Sequence, residues 1–474
     1  MSPRLVAPDD VARLVQAAYE ILETVGLVVQ HPALLQRLTG AAGLTERNGR
    51  CLVARELASQ IIAQAAANNP VRTAEAAQAP RIGVSTRATF GADHRARQLR
   101  PLSRQDVIAG TKLIHALAPQ GVSSGTCGTP QEAPLALQPL EQYLIGYRYS
   151  LQQTGVEVPV AEEVRAEMRE MQEIAEDPAL HSNSASVWMI SPLRLEGYEL
   201  DELMTRATPP ETIGLGSMPL MGLTGPADPW GVFTLSLAET VGAAAILRCA
   251  FPDARFGFTA HPQAMDLIGG RFAFGGSEWS LLELMRKEIY AHLGIGWSLK
   301  TCITSACMPD VQAQMEKTAG IALGAAWGFT DYTIYPLCAD EVWSGVQCLF
   351  DVEAIHSAHH ALRLGEAAGA LDACVATLQQ AAAESALPGE LLSGVRRLRQ
   401  SYRQPLLSRV FSAGQFIETG PREPLSEAES KVADLIAGSS HDPDADRLGR
   451  MMAVYEGACR HGVAVMRLDA SLSS

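Results

Sequence analysis

The chain has 474 residues, 47% hydrophobic and 19% charged, enough apolar material for two or three domains or for one barrel with extensions. Its formal net charge is -14 with a pI near 5.3, and its Lys and Arg residues are scattered. No basic stripe is left to neutralise phosphates, so nucleic acid is excluded as an expected partner.

The start, MSPRLVAPDDVARL, has no long apolar run. The two long uncharged stretches, Leu113–Gln131 and Thr212–Ala227, are broken by glycines and prolines. Neither a secretory signal nor a bilayer helix is expected, and the predicted location is cytoplasmic. Nine cysteines, widely separated and without a CxxC, suit buried thiols in a reducing compartment.

Residues 9–26 place Val11, Leu14, Val15, Ala18, Ile21, Leu22 and Val25 at helical spacing before Gly26, which predicts an amphipathic helix. A second helix is predicted at 54–68. Residues 75–100 read as polar and irregular apart from a short strand at Ala88–Gly91, so 1–103 forms an N-terminal helical extension. From residue 104, helix-like runs alternate with short apolar segments. The predicted strands are Gly121–Gly125, Val156–Val160, Ala185–Ile190, Thr212–Met218, Arg255–Ala260, Gly296–Ile303 and Tyr332–Pro336. Gly231–Ala250, Glu278–Leu293 and Asp310–Trp327 are long enough to return the chain between parallel strands.

Seven such units predict an α/β fold of the (β/α)8 TIM-barrel type over 104–400, with the eighth strand unassigned. The chain then reads as strongly helical from Asp351 to Leu398, and as a helical C-terminal tail over 401–474. No GxGxxG or GxxxxGK[ST] follows a strand, which removes the main support for a nucleotide-binding sheet.

All six tryptophans fall between Trp188 and Trp343. Indole faces hold a cation that cannot donate hydrogen bonds, at roughly 0.5–2 kcal/mol per contact; the same rings also serve as core area. In a parallel barrel the working residues sit at the carboxyl ends of the strands. That filter selects Trp188, Trp230, Trp297, Tyr335 and Trp343 as cage candidates, with His261 and Lys300 as groups for a substrate carboxylate. The turn Gly222–Pro226 is expected to leave helix amides pointing into the mouth, making Gly222, Thr224 and Gly225 an anion dock. Glu239 lies inside the apolar run LSLAETVGAAAILRCA, past the first helical turn, and must be paired or face a ligand. Glu278 follows Ser277 and suits a helix start.

Weaker signals read as structural. His356 and His360 lie one turn apart without an obvious third metal ligand, Cys302 and Cys307 lack a second pair, and no metal site is assigned. Gly121-Val-Ser-Ser-Gly125 would make Ser123 an elbow nucleophile, but the residues after it are too rich in Gly, Thr and Pro to start the required helix. Cys127 has no histidine that spacing would pair with it.

Three stretches, SMPLMGLTGPA (217–227), FGGSEW (274–279) and SACMPDVQAQME (305–316), resemble the trimethylamine methyltransferase family in its non-pyrrolysine branch. AAYEILETVGLVV and CLVARELASQII resemble that family's opening, so the likeness spans most of residues 9–360. The resemblance implies a barrel that passes a methyl group from a methylated amine to the cobalt of a corrinoid. That corrinoid rides on a separate small protein and is not tightly bound to this chain. Family members that use simple trimethylamine contain pyrrolysine; its absence here points to quaternary amines such as betaines. Asp310, Gln312, Glu316 and Glu278 match family signature positions. With Glu239, Asp310 and Glu316 become the candidate catalytic carboxylates, and Gln312 a candidate substrate contact.

The match breaks at SAGQFIETGPRE (412–423), which lacks the two histidines of the family's His-Thr and His-Phe-Arg run. Two other readings remain: a non-catalytic quaternary-amine-binding barrel, and a zinc-dependent methyl-transfer or hydrolytic barrel. A homo-oligomer stays open.

Overall fold

Helix Pro8–Thr24 begins on Pro8 with Asp9 and Asp10 in its first turn, a favourable start for a helix dipole. Val11, Leu14, Val15, Ala18 and Leu22 turn inward against helix Pro229–Leu247. Gly242 permits the close approach, because a Cβ there would lie 2.5 Å from Leu27 and 2.6 Å from Leu22. The computed structural model describes residues 5–71, 79–151, 160–177, 184–297, 299–366, 375–376, 378–379, 382–383, 403–407, 412–420 and 423–472.

Seven parallel strands lie in two sheets. One runs Arg255–Ala260, Thr212–Ser217, Ser184–Trp188; the other runs Leu299–Cys302, Asp331–Ile334, Arg81–Val84, Val122–Ser123. Taken together they follow chain order, and 331–334 comes back to pair in parallel with 81–84. Among the described residues no backbone ladder joins 122–123 to 184–188, or 255–260 to 299–302. The fold is therefore mixed α/β with parallel strands, and ring closure is not seen among these residues.

Two expectations change. The parallel sheet starts before residue 104, since Arg81–Val84 sits between two other strands; four residues of mixed polarity, RIGV, gave no periodic signal. The N-terminal stretch is not simply helical either. Leu27–Val29, Leu44–Arg47 and Arg50–Val53 form a small sheet that Arg194–Leu195 joins in parallel, and Phe90–Asp93 pairs antiparallel with Gln98–Pro101. Of the strand predicted at Val156–Val160, residues 156–159 lie outside the described residues, and so does most of the helical run predicted to Leu398. The tail comprises helices Ala413–Thr419, Pro424–Gly438 and Ala445–Leu472.

Ala185, Val187, Ile213, Leu215, Phe256 and Phe258 are buried on the helix-covered face of the first sheet. Helix Pro229–Leu247 closes that face. It is long and apolar enough to cross a bilayer, yet 83% of the window is buried inside the protein, as in a core helix.

Where strands 255–260 and 299–302 fail to pair, side chains of helix Gly276–His292 take over the backbone groups. Arg286 Nε donates to Ala260 O (2.9 Å), and Ala260 N donates to the Tyr290 hydroxyl (2.7 Å), which donates to Phe258 O (3.1 Å). On the other strand Lys300 N donates to Glu283 Oε2 (3.0 Å) and Trp279 Nε1 donates to Lys300 O (2.8 Å). Buried backbone groups must be paired, and here a helix pairs them.

Tyr290→Phe leaves the Ala260 N–H without its acceptor, and a loss of about 1–3 kcal/mol is expected. A urea midpoint equal to that of the parent would show that the strand edge is satisfied some other way.

Candidate functional site

Alternate residues of the first sheet face away from the helices and line a cavity of about 790 Å³: Ser184, Ser186 and Trp188; Thr212, Gly214 and Gly216; Arg255, Gly257 and Thr259. Period-two alternation puts all of these on one face. Trp188 lies against Gly216, where any Cβ would fall 2.2 Å from the indole. Its backbone N–H is held by Glu199 Oε2 at 2.6 Å. Trp297, Tyr290 and Ile295 line the same cavity.

Beside Trp297 stands a buried polar group at the carboxyl end of strand 255–260. Glu283 and Arg286 are fully buried and ion-paired, and Glu283 Oε1 lies 3.4 Å from His261 Nε2. The Arg286 guanidinium lies 5.0 Å from the Trp297 ring centre. Lys300 Nζ lies 5.2 Å from that centre and 5.9 Å from the Tyr335 ring. Burial pulls Arg286 down to about 9, so it remains charged at neutral pH. Burial, then the charges of Arg286 and Lys300, hold His261 well below the usual histidine range, so its ring is neutral.

Arg286 and Lys300 bring two cations to this group, Glu283 a carboxylate and His261 a neutral imidazole. His261 Nε2, Arg286 Nη2 and Gln263 Oε1 are buried without a hydrogen-bond partner. Such orphaned atoms cost about 1–3 kcal/mol each unless something polar fills the site.

The structure thus gathers Trp188, Trp297, His261, Lys300 and Tyr335 in one neighbourhood. It separates the other cage candidates. Trp343 is packed in a second core with Val107 and Leu113, and Trp230 is 38% exposed on helix Pro229–Leu247, beside Arg13 and Arg55 of the N-terminal helices. Trp279 is buried with its indole N–H on Lys300 O, and Trp327 packs on the second core. Spacing alone could not tell strand-end rings from helix-surface rings.

The carboxylates expected to be catalytic are each engaged in local hydrogen bonds. Glu239 is fully buried and accepts from Ser191 Oγ (2.8 Å), Leu193 N (2.7 Å) and Ser217 Oγ, so it ties two strand-end loops to its helix on the helix-covered side. Burial raises its pKa against the pull of those three donors. Glu316 likewise accepts from Thr304 Oγ1 (2.5 Å) and Ser305 N (3.1 Å). Asp310 caps helix Val311–Ala326 through Ala313 N, and Gln312 donates to Glu316 from an exposed position. Glu278 bonds Ser277 in the first turn of its helix.

The Gly222–Gly225 turn offers no free amide cradle. Its N–H groups bond back to Leu220 O and Gly225 O, Thr224 Oγ1 accepts from Leu220 N, and the following helix is capped by Asp228 on Gly231 N. His356 Nε2 bonds Gln120 O and His359 Nε2 bonds the Tyr332 hydroxyl, both at 2.8 Å. No group of three potential metal ligands occurs among the described residues.

Sequence reasoning missed Glu283, Arg286 and Tyr290. Their i, i+3, i+7 spacing within LLELMRKEIY was a visible polar stripe, but nothing in the pattern said that it faces a strand edge rather than solvent.

A model of the trimethylamine methyltransferase (MTTB) family matches residues 2–446. No curated protein sequence matches the chain. Two solved structures, the monomethylamine methyltransferase MtmB of Methanosarcina barkeri and a hydroxylamine complex of MtmB, are 11% identical to it. Each aligns over 92% of this chain and 89% of its own, with a TM-score of 0.42, too low to establish a shared fold.

A buried neutral histidine makes stability depend on acid. The unfolded chain takes up a proton near 6.5 and the folded one does not, so stability present above that pH is lost as pH falls below it. His261→Gln is expected to flatten this decline. Urea denaturation at about pH 7 and about pH 5 checks it, and equal slopes in the two proteins would contradict the assignment.

Proposed function

Because the chain belongs to the trimethylamine methyltransferase family, we propose that it transfers a methyl group from a carboxylate-bearing quaternary amine, a betaine, to the Co(I) of a corrinoid carried by a separate protein. The observation that carries this reading is the juxtaposition of the Trp188 and Trp297 rings with the polar group of His261, Arg286 and Lys300. Arg286 and Lys300 already lie over Trp297, so Trp188 takes the ammonium end. The unpartnered Arg286 Nη2 and the Lys300 ammonium take the carboxylate.

In this reading the acceptor's cobalt supplies the nucleophile, and the chain supplies binding, orientation and exclusion of water. A quaternary nitrogen leaves as a neutral amine and needs no proton, which is consistent with carboxylates used as braces. The cavity is of small-molecule size, so the corrin is presented from outside, at the carboxyl ends of the strands. The two parallel sheets are read as arcs of one (β/α)8 barrel that includes strand 81–84, with helix 276–292 splinting one seam. The setting is cytoplasmic.

The test mixes the protein with a betaine panel and cob(I)alamin, free or on a corrinoid protein. Methylcobalamin absorbance is expected only when protein and betaine are both present, and its absence across the panel would sink the reading. Trp188→Leu is expected to lower kcat/KM by about 2- to 30-fold. Lys300→Met is expected to weaken a betaine while sparing or improving a quaternary amine that lacks a carboxylate.

A further inference from the structure

Among the described residues the cavity lining extends to exposed positions at the end of the sheet opposite His261. Glu211 and Arg255 mark that end, where strands 212–217 and 255–260 begin. The chain after helix Arg55–Asn68 frames it: Asn69 Nδ2 donates to Gly296 O at 2.9 Å, and Gly296 N donates to Asn69 O at 2.7 Å. From this rim the lining runs inward to Trp188 and Trp297.

The interior of a parallel barrel is ordinarily filled by layers of bulky side chains. Here the inward positions include Ser184, Ser186, Gly214 and Gly257, whose small size leaves room between Arg255 and Trp188. A Cβ at Gly257 would meet no atom within 4 Å, and one at Gly214 would make only ordinary contacts at 3.7 Å. Ser184, Ser186 and Gly257 are exposed, whereas their strand neighbours Ala185, Val187, Phe256 and Phe258 are buried under helices. Solvent therefore reaches the side of the sheet that would normally be dry.

We propose that this cavity is a back door: a conduit that carries a small methylated or demethylated amine between the amino-terminal rim of the strands and the Trp188–Trp297 pair. The inference rests on the reading that those rings bind the amine. In that reading a protein-borne acceptor comes to the opposite end of the strands, so the small product needs another way out. Along the wall the hydroxyls of Ser184, Ser186 and Thr259 and the bare backbone of Gly214 and Gly257 stand beside apolar groups such as Tyr290 and Ile295, a mixed lining that suits a small methylated amine.

Cysteine labelling tests the conduit without any methyl acceptor. Gly257→Cys in the full-length protein is treated with trimethylammonioethyl methanethiosulfonate, and modification is read by mass spectrometry on the peptide carrying that position, which separates it from the exposed native Cys307. Labelling is expected, and Ser184→Trp at the rim is expected to slow it about tenfold, a barrier raised by about 1.4 kcal/mol. Ser184→Phe serves as a second plug, and thermal melts establish that each variant is folded. No labelling in folded protein overturns the proposal, and so does a rate that ignores the rim substitutions, since the reagent would then arrive from the His261 end.

In the methyl-transfer assay the rim substitution Ser184→Trp is expected to slow steady-state turnover in step with the slowed labelling. Labelling that behaves as expected while no methyl transfer occurs would remove the functional reading and leave the passage standing.

Discussion

Between Ala260 and Lys300 the strand edges are held by a helix instead of by each other. Arg286, Tyr290 and Glu283 each satisfy a main-chain group that a neighbouring strand would otherwise take. Once side chains enter that seam, a charged pair is committed to the interior, and its desolvation is tolerable only because every member has work nearby. Trp297 lies beside the guanidinium, His261 is forced neutral, and Arg286 Nη2 and His261 Nε2 are left buried without a hydrogen-bond partner. Seam and binding chemistry are one arrangement.

The same economy governs the carboxylates. Glu239 and Glu316 sit on the helices that follow two different strands and receive hydroxyl and amide donors from the loops at those strand ends. Lys317 repeats the idea with opposite charge, donating to Tyr335 O at 2.7 Å and to Asp351 at 2.6 Å in a buried pair. Desolvation dominates at Asp351 and pushes its pKa up to about 6 despite the ammonium beside it. These groups fix where the segments carrying Ser191, Thr304 and Tyr335 emerge.

Small residues complete the design. Gly216 exists where the Trp188 indole lies flat, and Gly257 and Ser186 keep the space in front of it open. A bulky residue at any of these positions would turn a binding cavity into ordinary core.

Local pattern by itself determined the amphipathic first helix, the strands at 184–188, 212–217, 255–260 and 331–334, their return helices and the family, because periodicity and contiguous motifs survive in a linear string. Strand 81–84 was too short and too polar to register. Tertiary structure alone decided which tryptophans meet, that Trp343 belongs to a core and Trp230 to an outer surface, and that Glu239 braces loops. It also showed that the stripe Glu283, Arg286, Tyr290 faces a strand edge. Each of these depends on which face of an element meets which neighbour across many residues of intervening chain, a relation between distant segments that one-dimensional spacing does not carry.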